Sequence, residues 1–208
     1  MISLPKGQRR PARPDNQHKM MVALAHGRCT KMRPPDQLHL LRTQTTALLS
    51  RIQPWSRAQH NFRPNLNDWS ALEVLDHLSK VEQSILGALK SNLSQGHVVS
   101  LKDRVGGMIV NLVMRSPLKV KVPPGAKVFP DAEPDLPAIS RRWTEAQSEM
   151  AELLNSLSTT QRQVGLFHHP RSGWMTIGQT LSFLSAHMRH HEYQLARIAR
   201  AFTPPVSS

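Results

Sequence analysis

Four stretches of the chain repeat apolar residues at intervals of three and four, the period of a helix buried along one side. The first spans Asp36 to Ile52, with Leu38, Leu41, Leu48, Leu49 and Ile52 on one face and Asp36, after Pro34-Pro35, as the expected N-cap. The second spans Asp68 to about Leu93. Val74, Leu75, Leu78, Val81, Ile85 and Leu89 form its stripe, Asp68 is placed to cap it, and Trp69 opens its first turn. The third runs from Asp135 to Leu157 on Ile139, Trp143, Ala146, Met150, Leu153, Leu154 and Leu157. The fourth runs from Thr176 to Ala201 on Ile177, Leu181, Leu184, Met188, Leu195 and Ile198, with Pro204-Pro205 beyond it.

A long connection, Ser94 to Pro134, separates the second and third helices. A weaker helical piece, Leu101–Met114, lies inside it, followed by Pro117, Pro123, Pro124, Gly125 and Pro130, which prevent further helix. Lys119–Val122 is the one short run with strand character. Bundles need such crossovers when two consecutive helices run parallel. The pattern predicts an all-α four-helix bundle over residues 36–202, a leader over 1–35 and a disordered tail over 203–208.

Charge first suggests a nucleic-acid partner. The 208 residues carry 27 basic and 14 acidic side chains, a net charge of +13. More than half of that excess falls in residues 1–35, where eight basic side chains face Asp15 alone. Three readings fit this Pro-rich leader. It is a disordered leader, or an upstream extension ahead of Met20, Met21 or Met32. It is a phosphate-binding arm. Or it is an organelle-targeting peptide, Arg-rich and acid-poor though not amphipathic. The leader has no aromatic residue to stack on bases, which weighs against nucleic acid. No apolar run reaches the roughly 18 residues of a membrane span, so no membrane partner is expected and the protein is placed in the cytoplasm. The single cysteine, Cys29, excludes an internal disulfide framework.

Position singles out three of the 11 histidines. His187 and His191 lie one turn apart on the apolar side of the fourth helix, beside Leu184 and Met188, so both rings can reach one point. His77 lies beside the Val74–Leu78–Val81 stripe of the second helix. Three inward imidazoles make a three-nitrogen site for zinc, nickel, copper or ferrous iron, with positions left for water and substrate. Spacing alone also allows, and by itself favours, a histidine pair that only fills a helix face and a His77 satisfied by a backbone group.

Two motifs narrow these readings. Trp69-Ser70-Ala71-Leu72-Glu73-Val74-Leu75-Asp76-His77-Leu78 resembles the opening of the second helix in the DinB-like (YfiT-type) superfamily of metal-dependent proteins. His187-Met188-Arg189-His190-His191-Glu192-Tyr193-Gln194-Leu195 resembles that superfamily's H-x-x-x-H-x-x-Q-L signature on the last helix. The resemblance covers residues 36–202. It implies an up-down-down-up bundle and a divalent metal (zinc, nickel or iron) held by His77, His187 and His191. His190 points away from His191 on the helix and is expected as a neighbour rather than a ligand. Gln194 is similar to the family's glutamine, whose amide can hold a ligand or a substrate oxygen. His169-Pro170, with Gly173 and Thr176, resembles the approach to the last helix in one branch, where the histidine lies at the pocket rim or simply precedes a turn. The thiol-binding residues of the family's transferases have no counterpart, and neither does the leader.

A metal on three histidines can act as a Lewis acid, or lower the pKa of water from about 15.7 to about 7. The function expected is therefore a divalent-metal-dependent hydrolase or thiol transferase acting on a small molecule. Glu73 and Gln194 are the candidate catalytic side chains, Glu73 because it could bond the free nitrogen of His77. The alternatives are a non-catalytic, metal-stabilised structural or stress-response bundle and nucleic-acid binding through the leader. A homodimer is a further expected partner.

Overall fold

The computed structural model describes residues 32–116, 118 and 128–203. The basic leader, the Lys119–Val122 run and the end of the tail lie outside the described residues. Six helices and one hairpin follow in order: α1 (Pro34–Ile52), α2 (Arg57–Asn61), α3 (Ala71–Ser91), α4 (Leu101–Met114), α5 (Leu136–Ser156), β1 (Phe167–His169), β2 (Gly173–Met175) and α6 (Ile177–Ala201).

Local chemistry sets the helix starts. Ser70 caps α3 through a reciprocal box with Glu73, and Thr176 caps α6 in the same way with Gln179. Asp135 caps α5 by accepting from the Ala138 amide at 3.0 Å. Two expected caps differ. Asp68 does not cap α3, because Ser70 stands where a box partner lies three residues on. Asp36 does not cap α1, which starts two residues earlier at Pro34. Proline's fixed φ suits a first helical position, and Asp36 instead pairs with Arg33 at 3.0 Å within the first turn.

Four long helices, α1, α3, α5 and α6, enclose the core, and hydrogen bonds give their directions. Arg142 reaches Asp76 and Ser79, Trp143 reaches Glu82, and Lys90 meets Glu149, so α3 and α5 ascend together. Gln37 bonds Ser182 and Gln44 bonds Ser185, so α1 and α6 also run parallel. Asn92, just past α3, donates to Leu166 beside the hairpin that feeds α6, which makes α3 and α6 antiparallel. This is the up-down-down-up order. Trp143, Leu41, Leu75, Leu89, Met150 and Leu181 are among the fully buried side chains at its centre.

A buried carboxyl, Glu82, is among the polar groups set into that core. Glu82 accepts from Trp143 Nε1 at 2.5 Å, Gln147 Nε2 donates to Thr45 Oγ1 at 2.8 Å, and Arg42 donates to the Gln147 carbonyl at 2.7 Å. Burial raises the Glu82 carboxyl to a pKa of about 7 despite these donors.

The hairpin was not legible as strands. Phe167 pairs with Met175 and His169 with Gly173, only three residues per strand. Gly173 turns the chain at φ 78°, a left-handed conformation that favours glycine, and a Cβ there would strike Asp103.

Candidate metal centre

α3 and α6 each bring their histidines inward because the rings share a face with the apolar stripe. His77 follows Val74 by three residues, and His187 and His191 follow Leu184 by three and seven. All three are buried, and one ring nitrogen from each lies within 4.8 Å of the others. The Nε2 atoms of His187 and His191 are 3.1 Å apart. The rings of His77 and His191 have centroids 5.0 Å apart, and those of His77 and His187 5.3 Å.

Two rings are oriented from behind. His77 Nδ1 donates to the carbonyl of Val128 at 2.7 Å, and His191 Nδ1 donates to Gln194 Oε1 at 2.8 Å. Each bond places the proton on Nδ1 and leaves the Nε2 lone pair for the centre. Among the described residues, His187 Nδ1 is buried without a partner.

Burial disfavours the charged imidazolium at all three positions. His187 is driven well below the ordinary histidine value by burial and by its histidine neighbours. His191 falls to about 3, again chiefly through burial. His77 is lowered by burial, partly offset by Val128. The rings are therefore neutral at pH 7, the form that ligates a metal.

The walls are aromatic. Trp69 lies 4.9 Å from the His77 ring and 6.4 Å from the His191 ring. Phe183 stacks on His187 at 5.6 Å, and His169 packs edge-on against Phe183 at 4.9 Å. Sequence reading placed Trp69 in the family-like motif and in the helix's first turn, whereas it stands just ahead of the Ser70 cap, and it missed Phe183 as a wall. Phe183 stands four residues before His187, one turn away on the same face, and that was the available signal.

The other expected participants divide. Gln194 supports His191 directly. Glu73 does not reach His77, because its carboxylate accepts from the Ser70 amide at 2.7 Å and from Arg63 at 2.5 Å. The capping box and the arginine occupy both oxygens, and Val128 takes the ring nitrogen that Glu73 was expected to hold. His190 is turned to the Ser116 carbonyl at 3.3 Å. Asp76 points away from the centre, to Arg142, to Lys80 at 3.0 Å and to the Asp131 amide at 2.8 Å.

The bundle has a counterpart among solved structures. A solved structure, YfiT from Bacillus subtilis, superposes with a TM-score of 0.50 at 15% identity, covering 84% of this chain and 90% of that one. YfiT is described as a probable metal-dependent hydrolase with an unusual four-helix bundle topology. At that identity the likeness shows the fold. A search of curated proteins gives no match. The family model for the DinB superfamily matches residues 38–195, a span that begins in α1 and takes in His77, His187 and His191. The chain thus belongs to the DinB superfamily.

Proposed function

We propose that the protein holds a divalent metal through His77, His187 and His191 and acts on a small molecule as a hydrolase or thiol transferase. The observation that carries this reading is the aim of the nitrogens. Two Nδ1 protons are committed to Val128 and Gln194, so two lone pairs converge in a buried space with the third ring beside them. The 3.1 Å between the His187 and His191 nitrogens suits two ligands that each sit about 2.0–2.1 Å from one ion. Neutral, desolvated imidazoles fit zinc, nickel or ferrous iron better than the oxygen-seeking magnesium or calcium.

A bound ion would supply Lewis acidity to polarise a substrate or activate water or a thiol. The chain supplies the rest. Val128 and Gln194 hold two rings in the ligating tautomer. Trp69 and Phe183 pack beside the rings and exclude water from them.

Elemental analysis of the purified full chain tests the reading, with His187→Ala as control. One divalent ion per wild-type chain, and little in the variant, is the expected result. A folded wild type that takes up no zinc, nickel or iron overturns it. Ester, amide and thiol-transfer substrates then separate the two reaction classes.

A second reading is a bundle in which the metal only stabilises. It is favoured by Glu73, the carboxylate one turn before His77, being held by Ser70 and Arg63 rather than facing the centre. It predicts bound ion without turnover of any of those substrates.

A further inference from the structure

Helix α4 is apolar on two opposite sides. Its inner side seats Gly107 and Val110, with Gly107 close to Met175 and Gln179. Its outer side carries Leu101, Val105, Met108, Ile109 and Leu112, exposed by 77%, 46%, 71%, 57% and 73%. At about 100° per residue, these five fall in one arc roughly 100° wide, opposite Val110. A solvent-facing helix ordinarily shows polar residues there. Single exposed apolar side chains are common, but a contiguous stripe marks a binding surface. Lys102 lies on one edge of the arc, and Arg104 and Arg115 lie on the other. The acid in the same turn, Asp103, is held by Ser100 in the capping box.

We propose that this face docks a second copy of the chain, α4 against α4, antiparallel about a two-fold axis. A two-fold interface has to complement itself, and the order of residues along the stripe does so. About a midpoint between Gly106 and Gly107, Leu101 falls opposite the second copy's Leu112, and Val105 opposite its Met108. Large apolar side chains therefore meet each other along about 16 Å of helix. The basic edges do not collide. Arg104 comes level with the second copy's Ile109, about 7.5 Å along the axis from that copy's own Arg104, so the guanidinium groups interleave. Five large, mostly exposed side chains also supply a substantial part of the roughly 800 Å² that each partner gives to a standard interface.

Sedimentation velocity of the full chain, over a hundredfold range of concentration, tests the proposal. The expected wild-type mass is twice the 23.4 kDa of one chain. Met108→Glu should reduce it to one chain with the helical circular dichroism unchanged, since Met108 lies outside the core. Leu112→Lys should do the same. Register is read by cross-linking in a Cys29→Ser background. Oxidising a mixture of Leu101→Cys and Leu112→Cys chains should give several-fold more linked dimer than either variant alone, whereas a parallel pair would link each variant to itself. A wild type that stays monomeric overturns the proposal, whether this face then takes up anionic lipid vesicles or the apolar Met20–Ala25 segment. A dimer that survives Met108→Glu overturns it as well.

Discussion

His77 Nδ1 and the Val128 carbonyl, 2.7 Å apart, join the second turn of α3 to the far end of the crossover. Asp76 and Lys80 place that carbonyl. Asp76 accepts from the Asp131 amide at 2.8 Å, while Lys80 donates to the Phe129 carbonyl at 3.1 Å and pairs with Asp131 at 2.6 Å. Asp76→Asn removes the charge that Lys80 and Arg142 share. Divalent-ion affinity should weaken by about 10- to 100-fold, the usual cost of losing support behind a ligating histidine. Zinc titration against a competing chelator measures it, and unchanged affinity would mean that the crossover does not control His77.

Gln194 acts on the other side of the centre and at closer range. Gln194→Ala leaves His191 Nδ1 without its acceptor, so the ring is free to turn or to change tautomer. The same titration should show at least about tenfold weaker binding. Gln194 is only half-buried, so the melting temperature of the metal-free protein should move little. Asp76→Asn should lower that temperature, because it breaks a buried ion pair.

Metal binding should appear directly as stability. An ion at about a thousand times its dissociation constant stabilises the fold by roughly 4 kcal/mol. For a chain of this size that is about 8–16 °C in melting temperature. His187→Ala should abolish the shift while still folding. Differential scanning fluorimetry with and without zinc gives the comparison, and equal shifts in both proteins would place the ion elsewhere.

Acidity should act on the metal-free fold in two opposing ways. His77, His187 and His191 bind protons more weakly folded than unfolded, so their contribution is complete above about pH 6.5 and is lost as pH falls below it. Glu82, raised to about 7, has the opposite sign: its stability is fullest below its ordinary value of 4.5 and is lost as pH rises toward 7. The two trends oppose each other across the shared window. Glu82→Gln should therefore steepen the rise in stability between about pH 4.5 and 6.5 and stabilise the protein above pH 7 by up to about 3 kcal/mol. Urea unfolding at a series of pH values would show it, and an unchanged slope would refute the role given to Glu82.

The long helices were legible because burial on one side writes a period into the sequence. α5 and α6 begin within a residue of expectation, and α4 was read at Leu101–Met114. What escaped depended on tertiary partners. Glu73 looked like a candidate for His77, but Ser70 and Arg63, ten residues before it, decide where its carboxylate goes. Val128 carries no side-chain signal for its role, since a backbone carbonyl does the work. The β1–β2 hairpin is too short to show alternation, and α2, five residues held by a Ser56–Gln59 capping box, is too short to show a helical stripe. The motifs on α3 and α6 pointed to the three histidines, while the aromatic walls and the Glu82 network required the packed bundle.

Because α1 pairs with α6, and the histidines of α6 meet His77 of α3, the centre cannot assemble before α6 has been made. A nascent chain that has emerged only as far as α5 presents His77 alone, a single weak donor. The complete set forms only when α6 leaves the ribosome and closes against elements made much earlier. Metal capture, as proposed above, would then favour chains that include α6 over those cut short before it.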